Sequence, residues 1–384
     1  METIVPMYAA AAGSAERPAP FAEYWFLMHI WPGGRGGLEH LNSTQINYSS
    51  DWDSLRPAGR YATDYELKLA VLSHEFYHAW NVKRLRPKAL GPFDYSREVH
   101  TPALWISEGL TSYYGDLTLL RAGLLTPQRY LDSIAQLLTE FEQQPGRSER
   151  SIEDTSWDTW FRPGVMGDTN LLNANYSYYD GGQIAGHLLD FAIRQATGNQ
   201  KSLDDWMRLL YQRHALPKPG FEPEDAVRAA NEVAGRDIGE IFRRYISGKE
   251  PVPYETFFGY AGIQVDRMPA PSLAWIGVSV TRDDDGRARI NNITPGSPAE
   301  DAGLDRGDVI VAVDGKVVDQ DAYLKTMEER KPGDTLKLAV IRRGEMKEIS
   351  LTAVPYPYTI FKLRPVENPT EAQRKIYESW VGRK

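Results

Sequence analysis

The 384-residue sequence predicts a multidomain α+β protein: a mixed unit first, a mainly helical middle, and a small β-rich module toward the carboxyl end. Three observations predict it. The length exceeds one ordinary domain and suits two or three. Helical spacing of apolar residues dominates from Asp64 to Phe257, and short β-patterned runs separated by turn residues dominate later. Between them lies the joint Met268-Pro269-Ala270-Pro271, the sharpest break in the pattern.

Composition narrows the class. Apolar residues at 42 % and charged residues at 25 % are globular values, so nothing points to disorder. The net charge of −8 is mild and the cations are scattered, which disfavours a nucleic-acid surface. With no cysteine, disulfides, thiolate metal sites and cysteine nucleophiles are excluded. No apolar run approaches the ~20 residues of a membrane span. Met1 to Ala15 is Ala-rich but carries Glu2 where a signal peptide wants basic residues, and reads as irregular chain. The compartment stays open between the cytoplasm and the periplasm or outside.

The elements follow in order. Ala22–Ile30 is aromatic and apolar and predicts a buried strand. Trp31 to Gly37 forces a turn, and Leu38-Glu39-His40 resumes an extended path. Asp64 to Lys83 predicts a helix stopped by Pro87, with Lys83-Arg84-Leu85-Arg86 as its basic end. A second helix is expected from Pro102 to Leu120. Further helices are expected at Gln128–Phe141, Gly182–Ala196, Leu203–His214, Pro223–Val233 and Ile238–Ile246. Strands are expected at Ile276–Val280, Ala288–Ile293, Val309–Val313, Thr335–Ile341 and Ile349–Thr352. A last helix, capped at Asn368-Pro369-Thr370, runs to Val381.

The chemistry concentrates in His74-Glu75-Phe76-Tyr77-His78. Histidines four apart on a helix share one face, so both rings can reach one zinc ion. Glu75, beside the first histidine, can take a proton from an attacking water without ligating the metal. A catalytic zinc needs a third ligand, and Glu108 lies in the second apolar helix beside Trp105, Ile106 and Leu110. A carboxylate there is costly to bury without a partner, which a metal would supply. The competing reading is a solvated helix-face glutamate. His29, His100, His187 and His214 lack ligand spacing and read as structural. Asp116 could orient a ligating histidine, or simply lie on the helix surface.

The runs from His74 to Pro87, Pro92 to Tyr95 and Leu104 to Asp116 resemble the glycyl aminopeptidase family, gluzincin metallopeptidases with a PDZ domain, distantly related to aminopeptidase N. The resemblance implies a thermolysin-like catalytic domain over 1–122, a helical domain over 123–267, a PDZ domain over 272–355 and a tail with a helix over 356–384. It also implies that the family's usual amino-terminal β-rich domain is absent here. One zinc per chain, held by His74, His78 and Glu108, is the implied cofactor.

Gly36-Gly37-Leu38-Glu39-His40 resembles the family's substrate-aligning strand. Small residues let a peptide lie antiparallel to such a strand, and the Glu39 carboxylate can hold a free α-ammonium. A structural glutamate after a Gly-rich turn is the alternative. Tyr179 takes the place of the family's oxyanion-stabilising tyrosine, with Tyr178 as the neighbouring candidate. Gly181 stands where relatives carry lysine. Trp275-Ile276-Gly277-Val278 resembles a PDZ carboxylate-binding loop, so Ile276, Gly277 and Val278 are candidates to receive a peptide carboxyl end, the favoured alternative being a module that packs on or regulates the catalytic unit.

The expected function is a zinc aminopeptidase for small neutral amino-terminal residues, the small-residue preference being implied by resemblance alone. The alternatives are a zinc endopeptidase with Glu39 merely structural, and an idle PDZ-containing binding protein.

Overall fold

The computed structural model describes residues 19–50, 59–161, 171–270 and 273–382. The Ala-rich start of the chain and Pro271 of the joint lie outside them.

The first unit is a three-stranded sheet of β1 (Trp25–Trp31), β2 (Gly37–Glu39) and β3 (Ser43–Ser49) in the order β1-β3-β2. β3 is parallel to β1 and antiparallel to β2. It buries Thr44, Ile46 and Tyr48 and half-covers the residues between, the period-two pattern of a strand with one face on a core. β1 corrects an expectation: its apolar run forms a strand, but the strand is exposed along nearly its whole length, Ile30 at 65 %. Apolar composition fixes strand propensity, whereas coverage depends on what packs against each face.

Helix α1 (Asp64–Tyr77) packs across this sheet. Its start is set by Thr63, whose side chain accepts from the Glu66 amide, and it ends at His78 rather than Lys83. Residues beyond continue as tight turns, such as Lys83 N–H to the His78 carbonyl and Leu85 N–H to that of Trp80. The expected second helix is interrupted: Trp105–Gly109 form a π turn, and α2 (Leu110–Arg121) follows.

The helical body comprises α3 (Pro127–Glu142), α4 (Ile152–Trp157), α5 (Leu171–Ala174), α6 (Tyr178–Ala196), α7 (Leu203–His214), α8 (Pro223–Ala234), α9 (Gly239–Ile241) and α10 (Tyr254–Gly259). α7 has the predicted bounds, sharply set by a capping box of Ser202 and Asp205. α6 begins four residues before its expected start and is buried along most of its length. Next comes β4 (Ile263–Pro269), which pairs antiparallel with the distant β13 (Thr359–Pro365). The last helix α13 (Glu371–Trp380) returns Trp380 to the same core, where its indole N–H donates to the Tyr113 hydroxyl at 3.2 Å.

A second, separate core belongs to the β-rich module. Strands β6 (Val278–Arg282), β7 (Ala288–Ile293), β8 (Val309–Val313), β10 (Thr335–Arg342) and β11 (Glu345–Thr352) form one antiparallel sheet in the order β11-β10-β8-β7-β6. β9 (Lys316–Val317) pairs with β8, and β5 (Ala274–Trp275) with β12 (Val354–Pro355). Helices α11 (Pro298–Asp301) and α12 (Gln320–Glu328) complete the module. The expected strand Ile276–Val280 begins only at Val278 and runs on to Arg282, after Gly277, whose φ of +86° and contact with Ser297 leave no room for a Cβ. The two bodies meet at Asn173, whose amide donates to the Ile293 carbonyl at 2.7 Å and accepts from Asn292 at 3.0 Å. Among the described residues no helix is long and apolar enough to cross a membrane.

Candidate active site

The site lies where α1, the π turn and the start of α6 converge beneath β2. His74 and His78, one turn apart on α1, bring their Nε2 atoms to 3.1 Å. Glu108 Oε2 lies 3.2 Å from each. Each ring is held from behind. His78 Nδ1 donates to the Asn81 carbonyl at 2.7 Å, and His74 Nδ1 lies 3.2 Å from Ser112 Oγ.

Glycines make these approaches possible. A Cβ on Gly115 would crowd the His74 backbone at 3.3 Å, so α2 can pass close behind the ligand helix. A Cβ on Gly109 would fall 2.3 Å from the Gly182 Cα, so α6 lies backbone to backbone on the π turn. That contact brings Tyr179, in the first turn of α6, into the cleft with Glu108.

The cleft, about 480 Å³, is lined by Gly36, Gly37, Leu38, Glu39, His74, Glu75, His78, Glu108, Ser112, Asp116 and Tyr179, among others. Four carboxylates and two imidazoles share this small space, and several of them shift one another. Burial alone would raise the Glu108 carboxyl, but the His78 charge and hydrogen bonds from both histidines hold it well below the usual carboxylate range. Burial would lower His78, but the facing Glu108 carboxylate pushes it up to about 9. His74 is lowered by burial. Glu75 is raised to about 7, mainly by burial, with Glu39 and Glu108 adding to it against His78. Its Oε2 is buried and has no hydrogen-bond partner among the described residues.

Glu39, on β2, is brought to the same place: Glu39, Glu75 and His78 offer ligand-type atoms within 4.8 Å of one another. Its Oε1 accepts from the Lys83 ammonium at 3.3 Å. This changes the reading of Lys83, which serves the strand and not the helix end. Gly37 is tight as well, for a Cβ there would fall 2.5 Å from the Glu75 side chain. β2 is the sheet's edge, so its outer side has no strand partner among the described residues.

The two tyrosines diverge. Tyr179 stacks on the His74 ring with centroids 6.0 Å apart, and the Tyr178 hydroxyl lies 3.0 Å from Thr159 Oγ1. Asp116 lines the cleft, but its hydrogen bonds come from Tyr61 at 3.0 Å and Gln183 at 2.8 Å, and Ser112 takes the place beside His74. Ile276, Gly277 and Val278 belong to the second core, where the Gly277 carbonyl accepts from the Thr294 amide at 2.8 Å. Sequence reasoning missed Asn81, Lys83 and Ser112. Only Gly109 and Gly115, glycines inside a helical pattern, carried a visible signal of close approach.

The donor set fits a zinc ion. Ligands of a tetrahedral zinc at ~2.0–2.1 Å stand about 3.3–3.4 Å apart, close to the observed triangle. Two nitrogens and a carboxylate oxygen suit the metal, and the unpartnered Glu75 oxygen beside them suits a bound water.

Comparisons with known proteins match two separate stretches of the chain. Residues 67–185 match the M61 glycyl aminopeptidase family and residues 274–353 match the PDZ domain. The first stretch contains His74, Glu75, His78, Glu108, Tyr178 and Tyr179. A crystal structure of an aminopeptidase N family protein from Idiomarina loihiensis is similar with a TM-score of 0.84 and 25 % identity, over 99 % of this chain and 65 % of that one. A Thermotoga maritima protein named as a zinc metalloprotease is 40 % identical over 70 residues, 18 % of this chain and 14 % of its own length. A Halomonas elongata protein named as a DegP-like periplasmic serine endoprotease is 32 % identical over 154 residues, 36 % of this chain and 32 % of its own. The chain thus spans less than two thirds of each of these relatives. The α+β multidomain fold is aminopeptidase-like with a PDZ domain, and the resemblance to glycyl aminopeptidases stands.

Proposed function

We propose that this chain is a zinc aminopeptidase that releases small neutral amino-terminal residues, Gly or Ala, from peptides. One observation carries the reading: a His-His-Glu triangle, a buried carboxylate with a free oxygen and a second carboxylate already holding an ammonium share one cleft. One zinc per chain would be held by His74, His78 and Glu108, and when bound it polarises a carbonyl oxygen and makes water more acidic.

The chain's own groups do the rest. Glu75 takes the proton of the attacking water and passes it to the departing amine, and a carboxyl raised to about 7 suits both directions. The Tyr179 hydroxyl donates to the developing oxyanion, with Tyr178 as the second candidate. Gly36 and Gly37 leave the β2 edge open for the peptide backbone, which pairs antiparallel to it. Glu39 bonds the substrate's α-ammonium, which takes the position that the Lys83 ammonium fills here. The preference for small residues rests on likeness to the glycyl aminopeptidases.

In this reading 1–122 is the thermolysin-like catalytic domain and 123–267 completes the cleft. Residues 272–355 form the PDZ domain, whose loop Ile276–Val278 receives a peptide carboxyl end, and 356–384 the tail.

The test compares free-amine and amino-blocked peptides in wild type and Glu39→Ala. A charge-assisted bond of ~1.5–3 kcal/mol is roughly 10- to 150-fold in kcat/KM, lost only for free-amine substrates. Equal losses on both would make Glu39 a scaffold residue and favour an endopeptidase.

A further inference from the structure

We infer that Asn81 is a positioning residue that joins His78 and Glu108 into one rigid unit and thereby sets the affinity and shape of the metal site without touching the ion. The inference rests on the zinc-site reading above.

Asn81 lies three residues beyond His78 and is 1 % exposed. It acts on two ligands through two different parts. Its main-chain carbonyl accepts from His78 Nδ1 at 2.7 Å. That bond keeps a proton on Nδ1, so Nε2, which faces His74 and Glu108, is the nitrogen left for a metal.

Its side chain reaches the other helix. Nδ2 donates to the Ile106 carbonyl at 2.7 Å, with Thr111 Oγ1 at 3.1 Å and the Ser107 carbonyl at 3.3 Å as further acceptors. The shortest of these bonds answers a specific need. In an α-helix the Leu110 amide would bond the Ile106 carbonyl, four residues back. Here it bonds Trp105, five back, because the turn is a π turn. The Ile106 carbonyl is thereby deprived of its helical donor inside the core, where an unpaired acceptor is costly. Asn81 supplies the donor. Glu108 sits two residues further along the same turn, so the amide that stabilises the turn also fixes where the carboxylate points.

The two parts are separable by substitution. Asn81→Ala keeps the carbonyl that orients His78 and removes only the amide that braces the Glu108 turn. The defect should therefore be confined to the carboxylate arm of the site. A residue that only fills space would not show this asymmetry.

The test measures zinc dissociation constants by chelator competition in wild type, Asn81→Ala, Asn81→Asp, Glu108→Gln and the Asn81→Ala/Glu108→Gln double variant. Circular dichroism checks the fold, and visible spectra of the cobalt-loaded proteins report ligand geometry. Both Asn81 variants should weaken zinc roughly 10- to 100-fold and change the cobalt spectrum. In the Glu108→Gln background the further loss should be under about threefold, since the arm it braces is already gone. Folded Asn81 variants with wild-type affinity and spectrum, or an undiminished loss in the double variant, overturn the inference. Should neither Asn81 variant fold, side-chain amide exchange in the wild type decides. Exchange at Asn81 slowed about tenfold or more by zinc supports the inference, and equal rates with and without zinc overturn it. A wild type that takes up no zinc overturns this inference and the zinc reading together, whereas normal uptake with silent Asn81 variants overturns this one alone.

Discussion

His78 and His187 are both buried on helices that feed the same core, at 1 % and 0 % exposure, and their surroundings drive them in opposite directions. His78 faces the Glu108 carboxylate at 3.2 Å and donates to the Asn81 carbonyl. His187 is ringed by Tyr113, Tyr130, Phe191, Phe258 and Trp380, and neither ring nitrogen has a hydrogen-bond partner among the described residues. Burial acts alike on both. At His187 nothing opposes it, and the ring is pushed down to about 3. At His78 the carboxylate wins, and the ring is pushed up to about 9. A helical histidine becomes chemistry when a carboxylate is brought to it, and remains packing when aromatic rings are.

The largest expected effect falls on the first region alone. Glu75→Gln should lower turnover ~10³-fold or more while zinc content and melting temperature stay near wild type. Metal analysis beside steady-state kinetics checks this, and zinc loss would mean that Glu75 is a ligand.

Next in size is the carboxylate that separates the two histidines. Glu108→Gln should weaken zinc by more than the roughly 100-fold that losing a supporting group costs. An unchanged affinity would remove Glu108 from the ligand set and leave His78 a mere neighbour of a charge.

A smaller effect comes from pH. His78 must release its proton to bind metal, so apparent zinc affinity should fall as pH drops below about 9, approaching tenfold per unit. Chelator competition between pH 6 and 9 reads the slope, and a flat profile would say that the cluster holds no proton to displace.

The smallest effect concerns His187. Unfolded, it takes a proton near 6.5, and folded only near 3. Between those values the unfolded chain binds the extra proton, so stability is lost as pH falls, by at most about 1.4 kcal/mol per unit. His187→Phe should be neutral near pH 7.5 and should flatten the acid slope of the melting temperature between pH 6 and 4. An unchanged slope would show that the ring is hydrated, and the contrast with His78 would weaken.

What could be read before any coordinates follows local rules. The spacing of His74 and His78, the capping signals of α7 and the turn-bounded strands β7 and β8 depend on neighbours within a few residues. What escaped depends on distant partners. β4 was hidden because its pairing with β13 spans almost a hundred residues and ends at Pro269. The π turn was hidden because one skipped hydrogen bond barely alters apolar spacing. The exposure of β1 was hidden because composition cannot say which faces are covered. Lys83 looked like a helix-end cation until the fold set Glu39 beside it.

The contact between Gly37 and Glu75 limits how this scaffold could be diversified. Any side chain at position 37 displaces the carboxyl carbon of Glu75, which would stand 2.5 Å from the new Cβ. In the peptidase reading proposed above, Gly37→Ala should lower turnover with every reacting group still present, because the Glu75 carboxyl has to move from its place. Its neighbour Leu38 is 55 % exposed and has room to vary. Selection for altered substrates would therefore travel along every other residue of this strand, with novelty accumulating at 38 while 37 stays fixed as the smallest residue available.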